Sequence, residues 1–348
     1  VINTAIVEQM RSARSRLFLR TADRAIHAYA RIRYAMPDAA LSRFELCMER
    51  NVPYGPALAD GDAHRLDVYA PSRPRSRLVP VVMYVHGGGF AMLSKDTHRL
   101  MAVSIARAGY VVFNINYRQG HRYPYPAPLE DACRALLWVQ RNCERFGGDP
   151  SRVAIAGESA GGNLVTALAV ASSWRRPEPF ARAVFEANMS LRAVVATYGF
   201  LDLGHTAAYL AHPKIPGWSK DMIRDAARSY LGRDVARAAV AHPLASPLRI
   251  LEAGSPDRPL PPFFAAVGTR DPLIRCTKRL KAALDALGTP CELLIAPGEV
   301  HGYDALIWRP AARAKWRATR TFLEQRLQGE SALITLNGET RARPGSVG

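Results

Sequence analysis

The sequence predicts an α/β fold: a mainly parallel central sheet flanked by helices and carrying a helical cap. Three observations predict it. From residue 65 onward, short apolar runs rich in β-branched residues alternate with helix-length segments. Glycine-rich turns follow several of those runs, as strand-to-helix junctions require. Two stretches, residues 1–50 and 203–245, break the alternation and lie outside any strand–helix unit.

The elements follow in order. Residues 1–50 read as helical: Ile6, Met10, Ala13 and Leu17 share one helical face, and Arg11, Arg14, Arg16 and Arg20 fill much of the rest. Residues 1–55 are therefore expected to form an N-terminal helical cap segment packed on the body, with peripheral membrane contact as the sharper alternative. Arg65–Ala70 alternates polar and apolar, as a half-buried strand does. Val79–Val85 and Tyr110–Ile115 are short apolar runs rich in β-branched residues, the pattern of buried parallel strands. Between them Thr97–Ala108 reads as a helix that Gly109 stops. Pro128–Arg145 is the next helix, ended by the turn cluster Gly147-Gly148-Asp149-Pro150. Arg152–Ala156 is a strand running into a glycine-rich turn and the helix Gly162–Ser173. Leu191–Thr197, Phe263–Val267 and Cys291–Ile295 supply later strands, with helices at Arg275–Leu287 and Arg309–Gln328. The domain is expected over 56–330, with 203–245 as a Pro-studded cap insertion and 331–348 as a disordered tail.

Composition narrows the class. The chain has 348 residues, of which 48% are hydrophobic, enough for a large core and too many for a disordered chain. No run of 18 apolar residues is present, so no transmembrane segment is expected, and the first twenty residues lack the apolar stretch of a secretory signal. Lys and Arg outnumber Asp and Glu by 47 to 30, a formal charge of +17. Such a surface favours loose contact with anionic partners, but no nucleic-acid module accompanies it, and no specific nucleic acid is expected. The five cysteines, Cys47, Cys133, Cys143, Cys276 and Cys291, form no metal spacing and read as reduced thiols of a cytoplasmic protein. Neither a metal nor an organic cofactor is expected, and nothing in the pattern fixes an oligomeric state.

The chemistry resides in four places. Gly157-Glu158-Ser159-Ala160-Gly161 fits the G-x-S-x-G elbow, standing between a strand and a small-residue helix. That turn lifts a hydroxyl above the sheet and aims helix N–H groups at developing negative charge. His86-Gly87-Gly88-Gly89-Phe90 closes the strand Val79–Val85, and its bare backbone N–H groups suit an oxyanion. His86 is expected to orient this loop rather than transfer protons. A serine nucleophile needs a base and the base an orienting acid. Asp271 follows Phe263–Val267 and His301 follows Cys291–Ile295, so both fall at the carboxyl ends of strands, as Ser159 does. Rivals remain at this level: Asp202, Glu299 and Asp304 for the acid, and His205, His212 and His242 for the base.

His86–Phe90, Gly157–Gly161, Asp271-Pro272-Leu273 and His301-Gly302-Tyr303 together resemble the hormone-sensitive-lipase-like family of bacterial esterases, α/β-hydrolase fold-3. Tyr117-Arg118, the stretch from Tyr123-Pro124-Tyr125-Pro126 to Leu129-Glu130-Asp131, and Phe146 to Val153 are similar to the same family. The resemblance spans roughly residues 65–325. It implies an α/β-hydrolase fold, Ser159, Asp271 and His301 as the triad, and oxyanion donors from the N–H groups of Gly88, Gly89 and Ala160. It also implies a lid from the N-terminal helices and the insertion after Asp202. The expected activity is hydrolysis of a small-molecule ester of small to medium acyl length. An amidase or deacetylase on the same machinery, and a non-catalytic ligand-binding homologue, are the alternatives. The sequence departs from the family at Glu158, where Asp is frequent, at Gln119-Gly120-His121-Arg122-Tyr123, and at Arg275.

Overall fold

The computed structural model describes residues 21–36, 40–58, 61, 63–73, 76–211 and 215–327. Eight strands form one sheet: β1 (Leu46–Pro53), β2 (Arg65–Pro71), β3 (Val79–Val85), β4 (Val111–Ile115), β5 (Gly148–Glu158), β6 (Leu191–Thr197), β7 (Phe263–Gly268) and β8 (Cys291–Ala296). Their spatial order is β1-β2-β4-β3-β5-β6-β7-β8. The β1–β2 and β2–β4 pairs are antiparallel, and every pair from β4 to β8 is parallel. β3, β4 and β7 are buried along their whole length, which accounts for their apolar runs, and the one polar residue in β4, Asn114, donates its Nδ2 hydrogen to the Lys95 carbonyl.

Side chains alternate between two cores. Val81, Met83, Val85, Phe113, Ile115 and Ile155 face helices α3 (Ala127–Asn142) and α4 (Ala160–Ser173). Val82, Tyr84, Val112, Ala154 and Val195 face α2 (Arg99–Ala106) and α11 (Pro310–Leu327). The sheet is thus the middle of three layers, as strand periodicity dictates. α4 is buried nearly end to end, so its small residues let the elbow helix seat directly on β5 and β6.

The helical reading of residues 1–50 is corrected at its end: Leu46–Pro53 is β1, an edge strand pairing Leu46 with Pro71 and Pro53 with Arg65. Pairing satisfies the backbone groups of β2's outer edge. A bulge between Glu49 and Val52, with Asn51 at φ 55°, blurs the alternation that would have announced a strand. Helix α1 occupies residues 21–35, and the earlier stripe Ile6–Leu17 lies outside the described residues, as does the tail 331–348. Two short helices escaped the sequence reading, α5 (Pro179–Glu186) and α9 (Pro247–Ala253), both opened by proline. The insertion after Asp202 is helical: α6 (Thr206–Ala211), α7 (Gly217–Leu231) and α8 (Val235–Ala241). α10 (Ile274–Ala286) links β7 to β8.

The described helices α1 and α7 of the two irregular segments pack on loops at the carboxyl edge of the sheet. In α1, Asp23 accepts the Leu93 N–H at 2.7 Å, His27 Nε2 bonds Ser94 Oγ at 2.9 Å, and Tyr34 donates to the Thr97 carbonyl. In α7, Tyr230 stacks on Phe90 at 4.0 Å, and Ala226 stands 3.2 Å from where a Gly89 Cβ would be.

Candidate active site

Ser159 occupies the turn between β5 and α4 with φ 54° and ψ −116°, a strained conformation for a residue with a side chain. The turn is held because the Ser159 N–H bonds the Thr197 carbonyl at 3.0 Å. It needs glycine at Gly161, where a Cβ would lie 2.0 Å from the Val85 carbonyl oxygen and 2.7 Å from that of His86.

Two loops from the far side of the sheet reach this hydroxyl. Beyond β7, the Arg270 N–H bonds the Glu299 carbonyl at 2.9 Å, and the Gly298 N–H bonds Thr269 Oγ1 at 2.8 Å. These bonds staple the loop carrying Asp271 to the loop carrying His301. His301 Nε2 then lies 2.9 Å from Ser159 Oγ, and His301 Nδ1 lies 2.9 Å from Asp271 Oδ2. The other carboxylate oxygen, Asp271 Oδ1, accepts the Leu273 N–H at 2.8 Å, which fixes its plane. Asp271 is buried, whereas the imidazole is 30% exposed and open to a substrate. Burial favours the neutral imidazole, but the Asp271 charge and hydrogen bond, helped by Asp304 and Glu158, outweigh it. The His301 pKa stands above its ordinary value.

The glycine loop abuts the elbow, for a Cβ on Gly87 would lie 3.2 Å from the Ser159 Cβ. Gly88 has φ 109°, and a Cβ there would lie 2.0 Å from the Met92 carbonyl oxygen. No acceptor among the described residues takes the N–H of Gly88 or Gly89, whose neighbour Gly87 is spent on Glu158 Oε1 at 2.6 Å. Ala160 opens α4, so its N–H belongs to the first turn that no helical carbonyl serves. His86 is buried between Tyr117, stacked at 4.4 Å, and His98, and its Nδ1 donates to the Gly87 carbonyl at 2.7 Å. Burial and the nearby His98 pull its pKa down to about 3, so it braces the loop as a neutral ring.

Glu158 does more than preserve a charge. Its buried carboxylate accepts the Gly87 N–H and the Tyr84 hydroxyl, and lies 2.9 Å from His98 Nε2. It thereby ties the elbow to the glycine loop. Sequence reasoning missed Tyr84 and His98, whose contacts no local pattern announces.

The rivals are engaged elsewhere. Asp202 is buried against Arg249, Arg279 and His205. Glu299 pairs with Arg309, and Asp304 bonds Tyr198 and Lys315. His205 is occupied by Asp202 and His242 by the Tyr125 ring, and His212 lies outside the described residues.

The family model described as alpha/beta hydrolase fold matches residues 82–305 of this sequence. The chain belongs to that family. Among its relatives within the α/β hydrolases, carboxylesterase NlhH of Mycobacterium tuberculosis is 33% identical over 253 residues, 72% of this chain and 75% of that protein. Esterase LipI of the same organism is 30% identical over 248 residues, 68% of this chain and 69% of that one. A bacterial heroin esterase of known structure superposes with a TM-score of 0.72 at 23% identity, over 89% of this chain and 92% of that one, a likeness of fold. The hormone-sensitive-lipase-like resemblance read from the motifs is borne out, and so is the hydrolase fold. No helix among the described residues is long and apolar enough to cross a membrane, and no group of three or more His, Cys, Asp or Glu there is arranged to hold a metal ion.

Proposed function

We propose that the chain is a serine carboxylic ester hydrolase acting on small to medium acyl esters through Ser159, His301 and Asp271. One observation carries the reading: an unbroken hydrogen-bond chain runs from the Ser159 hydroxyl through His301 to buried Asp271, beside the N–H groups of Gly88 and Gly89, which no acceptor among the described residues engages. The kinship with carboxylesterase NlhH supports the same reaction.

In this reading His301 Nε2 takes the Ser159 proton as the oxygen attacks the ester carbonyl. Asp271 holds Nδ1 protonated and stabilises the imidazolium. The oxyanion sits among the N–H groups of Gly88, Gly89 and Ala160, each donor contributing about 3–4 kcal/mol to the transition state. His301 passes its proton to the leaving alcohol, and water then repeats the sequence on the acyl-enzyme. Helix α7, which packs Ala226 against Gly89 and Tyr230 on Phe90, and α1, which bonds Leu93 just beyond the loop, serve as a cap that limits water at the reacting carbonyl.

The test is Ser159→Ala with p-nitrophenyl acetate and butyrate, beside the matching anilide. Turnover of the esters by the parent chain, loss of it in the variant, and one-to-one labelling of the parent by an organophosphonate are expected. Ordinary ester turnover by Ser159→Ala refutes the assignment, and faster turnover of the anilide than of the ester transfers it to amide hydrolysis.

A further inference from the structure

Asp304 lies three positions after His301 in the sequence, yet it serves neither as the orienting acid nor as a surface charge. Its carboxylate is buried, accepts the Tyr198 hydroxyl on Oδ1, and lies 2.7 Å from Lys315 Nζ on Oδ2. Lys315 is equally buried and sits 3.6 Å over the Trp316 ring, while Trp316 Nε1 donates to the Asp304 carbonyl at 2.9 Å. The third member, Tyr198, follows β6 and turns its ring against the imidazole: the two centroids are 4.6 Å apart at 60°. That placement strains the backbone, since Tyr198 has φ 35°, and the Tyr198 N–H is held to the Ala266 carbonyl at 2.7 Å. A buried ion pair is a costly way to staple α11 to a loop, because apolar residues of similar volume do so at least as well. A strained tyrosine between that pair and the base suggests a task beyond stapling.

We propose that Tyr198, Asp304 and Lys315 form a positioning unit for His301. Asp304 anchors the Tyr198 hydroxyl, and the Tyr198 ring holds the imidazole in the plane joining Asp271 to Ser159. Lys315 Nζ, 2.7 Å from Oδ2, fixes the second carboxylate oxygen of Asp304 inside the protein. The inference rests on His301 being the base of the proposed reaction. The groups facing His301 are Ser159 and Asp271 by direct hydrogen bonds, the Tyr198 ring, and the carboxylates of Asp304 and Glu158 behind it. Asp304 and Glu158 both favour the charged imidazole, so the unit acts on orientation and on proton affinity together.

Two variants separate positioning from stapling. Tyr198→Phe keeps the ring and its volume but frees it from Asp304. Asp304→Asn combined with Lys315→Met removes both buried charges at once, leaving no unpaired ion. Steady-state kinetics from pH 5 to 9 and the rate of Ser159 labelling by an organophosphonate are measured on each, with near-ultraviolet circular dichroism to establish native packing. The expected result for Tyr198→Phe is a fall in kcat of about tenfold with KM within about twofold, close to 1.4 kcal/mol in the transition state. The double variant is expected to move the acid limb of kcat/KM to lower pH and slow labelling to a similar degree. Native-like variants with parental kcat, labelling rate and pH midpoint overturn the inference. If the parent is labelled at Ser159 but turns over no ester, the ester reading falls alone, and the variants' labelling rates still decide the role of the unit.

Discussion

Replacing Asp271 by Asn tests the site most sharply, because the change removes one charge and almost no volume. His301 Nδ1 and Asp271 Oδ2 are 2.9 Å apart, which places the charge centres of imidazolium and carboxylate roughly 4 Å apart. With an effective dielectric of about 20, suited to a partly exposed ring, their attraction is about 4 kcal/mol. Since about 1.4 kcal/mol is a factor of ten, kcat/KM is expected to fall about a thousandfold. Geometry adds to the charge effect. Asp271 now serves two donors, the His301 ring and the Leu273 N–H. The single carbonyl of Asn can serve only one, and if it serves Leu273 its NH₂ faces Nδ1 and drives the ring proton to Nε2. That tautomer cannot accept the Ser159 proton. The pH sign follows from the causes of the His301 shift: burial lowers its pKa and Asp271 raises it, so losing Asp271 leaves the lowering influence with less opposition. The acid limb of kcat/KM for p-nitrophenyl butyrate should therefore move to lower pH as the maximum collapses. A variant within tenfold of the parent, with an unmoved limb, refutes the assignment. A collapse in Asp202→Asn instead would hand the role to that rival.

Three further outcomes are expected. Gly161→Ala should destabilise the fold by roughly 1–3 kcal/mol and abolish turnover, because its Cβ meets the β3 backbone and nothing flexible can yield; a thermal melt and an ester assay check both. Glu158→Gln should lower kcat by about 10–100-fold with little change in KM, since one amide oxygen replaces two acceptors for Gly87, Tyr84 and His98; steady-state kinetics measure it. Asp131 is buried among His64, Arg118 and Arg134, and although burial raises its pKa, the His64 and Arg118 hydrogen bonds win and hold it below the ordinary value. Its stabilisation is present above the unfolded pKa of about 3.9 and is lost as pH falls through the lower folded value. Asp131→Asn should cost about 3–5 kcal/mol in urea melts at pH 7 and less at pH 3.

Much of this was legible in the chain. β3 begins and ends where its apolar run does, because a strand buried on both faces leaves little room for polar interruption, and β6 keeps the bounds read for it although exposed Arg192 interrupts its run. Ser159, Asp271 and His301 could be paired across long separations because each follows a strand of the parallel part of the sheet, and parallel topology gathers such ends on one edge. β1 was hidden for the converse reason. As an edge strand it buries only Leu46 and Val52, and its bulge breaks the period between them. α5 and α9 are too short for a clear helical period, but Pro179 and Pro247 at their first turns were the available signal. The partners of Glu158 and Asp304 had none, since Tyr84, His98, Tyr198 and Lys315 are joined to them only by tertiary folding.

Those hidden partners explain a feature that the motif alone leaves open. An elbow and a glycine loop on adjacent strands do not by themselves make an oxyanion site, because three consecutive glycines have the greatest backbone freedom to lose. Here the loop is fixed from both sides: the Gly87 N–H is held by Glu158 beneath, and Gly89 and Phe90 are pressed by Ala226 and Tyr230 above. Partners converge on the buried Glu158 carboxylate from three elements, β3, the glycine loop and the His98 turn. Burial alone would lower the His98 pKa, yet the Glu158 charge and hydrogen bond outweigh it and raise it. An aspartate at this position, one methylene shorter, could not keep all three contacts without moving the elbow toward β3. Where the family's usual aspartate is absent, then, the longer acid is matched by its surroundings. The substitution Glu158→Asp is therefore expected to cost kcat rather than KM, and equal losses in both would show that the carboxylate's reach is immaterial.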